Sequence, residues 1–187
     1  MPTRTRLMET AVMLMKERGY DKVSINELCK HLNITRSAFY YHFKTKDEVL
    51  DSYIMFPPQF VQNNALLEEL AEKSSCREIY YKMIHFFIDR AAYLGPELFC
   101  IILNRGMEGN TQLISPRDVP TWKYNVAIIR LAQQRGEITR AEDPEVLAEM
   151  SGHLTNGIGM AWCNKHGNFD YFLEIVRMTD LLLGWTD

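Results

Sequence analysis

The sequence predicts an all-α protein of nine or ten helices. Apolar residues recur at spacings of three and four along most of the chain. Runs of period-two alternation are short and few. Helix-start signatures built on Ser, Thr and Asp recur, answered by Gly or Pro where the apolar period stops.

In order, the first helix is expected over 4–18, with Leu7, Ala11, Leu14 and Met15 as its apolar stripe and Gly19 as its stop. Ser24-Ile25-Asn26-Glu27 is a capping box that opens a second helix reaching about His31. The turn Leu32-Asn33-Ile34-Thr35 leads into a third helix over 36–43, with Thr35 as its cap. Thr45-Lys46-Asp47-Glu48 reads as another capping box, and its helix should run to the Pro57-Pro58 pair. Longer helices follow at 60–73, 77–94, 96–107 and 119–135, with 108–118 a polar loop. Asp143 before Pro144 opens a helix to about 165, and the last covers 170–183.

Composition narrows the function classes. No apolar run approaches the roughly 20 residues of a membrane span, and 79–94 is broken by Lys82, His85, Asp89 and Arg90. The start is amphipathic and charged rather than a signal peptide, so the expected location is the cytoplasm and no membrane partner is expected. Cys29, Cys76, Cys100 and Cys163 lie far apart and read as reduced, buried small hydrophobes. The five histidines are scattered, with no metal-ligand spacing, phosphate loop or nucleophile elbow, so neither enzyme, metal nor cofactor is expected. Residues 1–50 carry nine Lys/Arg against six Asp/Glu, and the remainder twelve against eighteen. A basic first quarter on an acidic remainder suits a polyanion partner for that quarter.

The second and third helices, joined by a tight turn, suggest a helix-turn-helix. Cys29 is small where the helices would cross, Asn33 tolerates a left-handed turn, and Phe39 is the large core contact. At about 100° per residue, Phe39 and Phe43 share the buried side, and Ser37 and Tyr41 point away from it. Tyr40 and Lys44 flank that outer face on one side, Ala38 and His42 on the other. A recognition helix presenting this face would enter a DNA major groove. Thr, Ser, Tyr, Lys and Arg donate to phosphates and fix register, and Arg36 is the best placed to read a guanine edge. Lys46 lies in a first helical turn, where the dipole disfavours a cation, so an anion partner is expected for it.

Val23 to Leu50, with the helix before it, resembles the TetR family of bacterial transcriptional repressors. Tyr40, His42, Phe43 and Lys46 match that family's Tyr-x-His-Phe-x-x-Lys, and Phe39 replaces its leucine. Asn33 stands where the family has glycine, and Ser37-Ala38 where it has Gly-Thr. The resemblance implies that Thr35, Arg36, Ser37, Tyr40, Tyr41, His42 and Lys46 hold DNA, with Ser24 a further phosphate candidate. Ala38 has no hydroxyl for a phosphate, and its methyl suits a thymine methyl. It also implies a DNA-binding domain over 1–48, a helical effector-binding and dimerisation domain over 49–187, and a homodimer on a palindromic operator that a small effector releases.

The remainder offers residues for those roles. Gly152, Asn156, Gly159 and Cys163, then Phe172, Ile175, Thr179 and Leu182, form small-residue and apolar stripes suited to a dimer interface. Tyr81, Met83, His85, Phe86, Phe87, Phe99, Trp122 and His153 are candidate lining for a pocket that takes a small, largely apolar or aromatic effector. Such aromatics also simply fill cores. A ligand-independent DNA-binding factor and an activator of the same fold are the alternatives.

Overall fold

The computed structural model describes residues 4–55, 72–109 and 115–186. Among them are eight α-helices: α1 (Arg4–Arg18), α2 (Ile25–Leu32), α3 (Arg36–His42), α4 (Lys46–Met55), α5 (Cys76–Met107), α6 (Trp122–Arg135), α7 (Pro144–Asn164) and α8 (Tyr171–Leu183). A 3-10 turn, Pro116–Asp118, precedes α6. The only strand-like pairing among the described residues is one antiparallel bridge, Ile138 to Trp185.

The helix count falls below nine or ten for two reasons. The helix expected at 60–73 lies almost wholly outside the described residues, as do the Pro57-Pro58 stop and positions 110–114 of the polar loop. The two helices expected at 77–94 and 96–107 form one element with a break at Gly95, whose φ of 80° and ψ of 164° are not helical. Pro96 explains the break, because its ring excludes the α region from the residue before it, and glycine alone adopts that φ without strain.

Local chemistry sets the other boundaries. The Ser24 capping box forms with both bonds present. Asn33 takes φ 53° and ψ 48°, the left-handed turn expected of it. Thr45 caps α4 through the Glu48 amide at 3.1 Å, but Glu48 reaches the amide of Lys44 at 2.6 Å rather than that of Thr45. The box is therefore shifted outward by one residue.

Two apolar clusters hold the helices together. The first runs from Leu7, Leu14, Phe39 and Phe43 through Leu50 and Ile54 of α4 to Leu98 and Ile102 of α5, and on to Trp162 and Ile175. Its path crosses α4, which packs on both α1 and α5. The second joins Tyr80 and Met83 of α5 to Val126 and Ile129 of α6, Leu147 of α7 and Leu183 of α8.

Candidate DNA-binding face and interior cavity

The turn and caps fix the rotation of α3. Thr35 accepts from the Ala38 amide at 3.2 Å, and Ile34 donates to the Cys29 carbonyl at 2.9 Å. Phe39 and Phe43 are then fully buried, as their one-turn spacing requires. The opposite side is solvent. Tyr41 is 83% exposed and Tyr40 43%, Thr35, Arg36 and Ser37 are exposed, and Ala38 and His42 are half-buried at the flanks. Arg36 donates to the Tyr40 hydroxyl at 3.3 Å. No carboxylate occurs between Thr35 and Lys46, while Arg36, Lys44 and Lys46 carry positive charge. This surface of hydroxyls and cations suits phosphate oxygens and base edges.

Two of the expected DNA contacts also have partners within the chain. The Ser24 hydroxyl serves its own helix, accepting from the Glu27 amide at 3.3 Å and lying 3.0 Å from a Glu27 carboxylate oxygen. Lys46 was expected to need an anion. Instead its ammonium donates to the Tyr20 and Val23 carbonyls at 2.8 and 3.3 Å and lies 3.9 Å from the Tyr20 ring centroid. These partners offset the unfavourable helix dipole and tie α4 to the segment between α1 and α2. Tyr20 also donates to Asp47.

Sequence reasoning missed the contacts that join α4 to α5. Arg105 lies 3.1 Å from Asp47 and 3.2 Å from Asp51. Arg90 donates to the Tyr53 carbonyl and stacks 4.7 Å over the Tyr53 ring. Burial, with Asp47 and Glu48 nearby, pushes the Asp51 carboxyl up to about 6 from its ordinary 3.8. The available signal was charge inside apolar helix: Arg90 follows Phe86-Phe87-Ile88, and Arg105 follows Ile101-Ile102-Leu103.

A cavity of about 150 Å³ lies behind α4. Ile54 and Met55 close one side, and Tyr80, Phe87, Phe99 and Ile102 of α5 form the floor. Thr121, Asn125, Ser151, Thr155, Asn156 and Tyr171 supply its polar atoms. Of the eight expected lining residues, Phe87 and Phe99 are there, and six are not. The Tyr81 hydroxyl donates to Asp180 at 2.6 Å. Met83 is buried in the second cluster, and Trp122 packs on its edge under Arg117. His85 is exposed beside Asp89 at 2.9 Å, Phe86 lies under Arg90, and His153 is on the exposed side of α7. Helical spacing shows that such residues share faces without showing which face meets a void.

The expected interface residues also turn inward. Gly152 and Asn156 line the cavity, and a Cβ on Gly152 would lie 2.5 Å from the Pro116 Cβ. Gly159 faces Tyr171 and Phe99 at similarly close range. Ile175 and Thr179 are fully buried. Cys163 and Phe172 pack on the first cluster, and Leu182 on the second. None of the eight is exposed. The small residues do permit close approach, but to neighbours in the same chain. The outward faces instead carry Val146, Met150 and Met160 on α7, and Leu173 and Leu181 on α8, the last 69% exposed.

No helix among the described residues is long and apolar enough to cross a membrane.

Residues 7–53 match the family model for bacterial regulatory proteins of the tetR family. The biofilm operon icaADBC negative transcriptional regulator IcaR of Staphylococcus aureus (strain NCTC 8325 / PS 47) is 23% identical over 84 residues, 45% of this chain and 45% of that one. The match thus spans less than half the length of that relative. A probable acrEF/envCD operon repressor of Escherichia coli (strain K12) is 22% identical over 189 residues, 97% of this chain and 85% of that one. The fold is shared with the transcriptional regulator FadR from Bacillus subtilis, solved in complex with stearoyl-CoA, at a TM-score of 0.59 and 16% identity, covering 99% of this chain and 100% of that one. The helix-turn-helix of residues 7–53 is thus of the kind found in bacterial regulatory proteins of the tetR family, and the whole chain carries the fold seen in FadR.

Proposed function

We propose that the chain is a homodimeric, sequence-specific DNA-binding repressor, released from a palindromic operator by a small, largely apolar effector held in the cavity behind α4. The observation that carries this reading is the rotation of α3. With Phe39 and Phe43 buried, Thr35, Arg36, Ser37, Tyr40 and Tyr41 form one exposed face free of carboxylates. Ala38 and His42 flank it, and Lys46 acts behind it as a brace rather than as a phosphate contact. Ser24 keeps its place as a cap at the edge of this surface.

A single seven-residue helix reads few bases, and two copies about 34 Å apart would meet successive major grooves. The outward apolar stripes of α7 and α8 support a pairing of two chains there through Met150, Met160, Leu173 and Leu181. The effector route runs through α4, which borders the cavity at Ile54 and Met55 and holds the N-terminal helices through Lys46 and Asp47. A ligand that favours a different position of α4 shifts the population toward dimers whose recognition helices no longer match groove spacing.

The test is binding to DNA upstream of the chain's own gene across a salt series. Wild type should bind tightly, with affinity falling steeply as salt rises. Tyr40→Phe should weaken binding on all sequences, and Arg36→Ala should relax discrimination at one base pair. Equal, weak binding of all DNA by wild type and both variants would overturn the reading.

A further inference from the structure

We propose that the effector of this chain is an uncharged, ring-sized apolar molecule bearing a hydroxyl or amide group, and that Asn125 is the residue that recognises it. This rests on the cavity behind α4 being the effector site, as proposed above, and adds the chemical class of the ligand.

Size is the first constraint. Cavities of about 150 Å³ lined by aliphatic and aromatic side chains admit molecules the size of benzene. The aromatic floor formed by Tyr80, Phe87 and Phe99 suits a flat ring.

Charge is the second. No residue among the described lining is ionisable to a cation or a carboxylate. The two internal stretches outside the described residues, 56–71 and 110–114, contain no Lys, Arg or His. An anionic group inside the cavity would lose its hydration without a cation to replace it, which is costly. FadR of Bacillus subtilis was solved with the thioester stearoyl-CoA, whose phosphates would find no such partner here.

Hydrogen bonding is the third. Most polar groups around the cavity already have partners within the chain. Tyr80 and Ser151 bond each other, the Thr155 hydroxyl donates to the Ser151 carbonyl at 2.9 Å, and the Tyr171 hydroxyl reaches the Thr155 carbonyl at 3.4 Å. The Asn125 side-chain oxygen is different: it is buried and has no partner among the described residues. An unpaired buried acceptor is costly, and a ligand donor that meets it recovers that cost. A hydroxyl suits the position best, since it can pair with either end of the amide.

The experiment titrates phenol, toluene and benzoate into the full-length chain at neutral pH, followed by NMR, with wild type and Asn125→Leu. Phenol should bind saturably, and benzoate at least about tenfold more weakly. Asn125→Leu should weaken phenol about tenfold and leave toluene unchanged or tighter. Benzoate binding as well as phenol, phenol binding unaffected by the substitution, or no saturable phenol binding would each overturn the proposal. The comparison of phenol with benzoate needs only wild type, so it stands if the variant misfolds. Operator binding is measured by fluorescence anisotropy in the same samples. If the binding pattern holds but phenol leaves operator binding unchanged, the ligand class stands and release through this cavity fails. If stearoyl-CoA releases DNA while phenol does not bind, release stands and this ligand class fails.

Discussion

Helix α3 and the helices around the cavity behind α4 use tyrosine in opposite ways. On α3, Tyr40 and Tyr41 turn their hydroxyls outward, where Arg36 is the only protein partner among the described residues. Behind α4, Tyr80 and Tyr171 are almost fully buried and spend their hydroxyls on Ser151 and Thr155. The residue type does not distinguish the two cases; helical phase does. In the first region phase is set within a few residues by Asn33, the Thr35 cap and the phenylalanine pair. In the second it is set by helices far apart in sequence.

The contrast breaks most completely if the α3 anchor is removed. Phe39→Ala deletes a fully buried ring and should cost about 3–5 kcal/mol, visible as a large drop in the thermal midpoint and complete loss of DNA binding. A variant that melts like wild type would mean that the outward tyrosines are not held by that anchor.

A paired substitution tests the inward and outward faces of the C-terminal helices. Gly159→Val places bulk against Tyr171 and Phe99, where even a Cβ would come within 2.7 Å of the Tyr171 hydroxyl, and should cost about 1–3 kcal/mol while the chain still dimerises. Leu181→Glu should do the reverse, leaving each chain folded and shifting sedimentation toward monomer. The opposite pattern would restore the interface that sequence spacing suggests.

The smallest effect sharpens the seam between the two regions. The Asp51 carboxyl is pushed up to about 6 by burial, so the folded chain holds that proton more tightly than the unfolded one. Its contribution to stability is fully present below pH 3.8 and declines as pH rises to about 6. Asp51→Asn should remove that decline, so the difference in melting midpoint, wild type minus variant, should fall across this window. A difference that stays flat with pH would place the Asp51 ionisation at its ordinary value and make the Arg105 pairing dominant.

The same contrast explains what was legible in the sequence. The all-α class, the bounds of α1 to α3, the start of α4 and the exposed face of α3 follow from local signals: caps, a turn residue and a one-turn apolar pair. The cavity was only partly legible. Phe87 and Phe99 reach it, while Tyr81, Trp122 and His153 share the same composition and periodicity and do not. The stripe of Gly152, Asn156 and Gly159 correctly signalled close approach. Sequence spacing does not name the neighbour, and within this chain Gly152 meets Pro116 and Gly159 meets Tyr171. The partners Lys46 has within the chain were hidden for a related reason, since the carbonyls of Tyr20 and Val23 come from more than twenty residues upstream.

The two faces of α3 also have separate fates under mutation. Phe39 and Phe43 hold the helix, while Arg36, Ser37 and Tyr41 are exposed and meet only their neighbours on the same helix, Arg36 the Tyr40 hydroxyl and Tyr41 the His42 ring. Substitutions at those three positions are therefore nearly free of folding cost, and the DNA-facing surface can be rewritten while its scaffold stays the same. A new DNA preference on the same scaffold needs only a handful of codon changes, and a designer can exchange that helix face as a cassette.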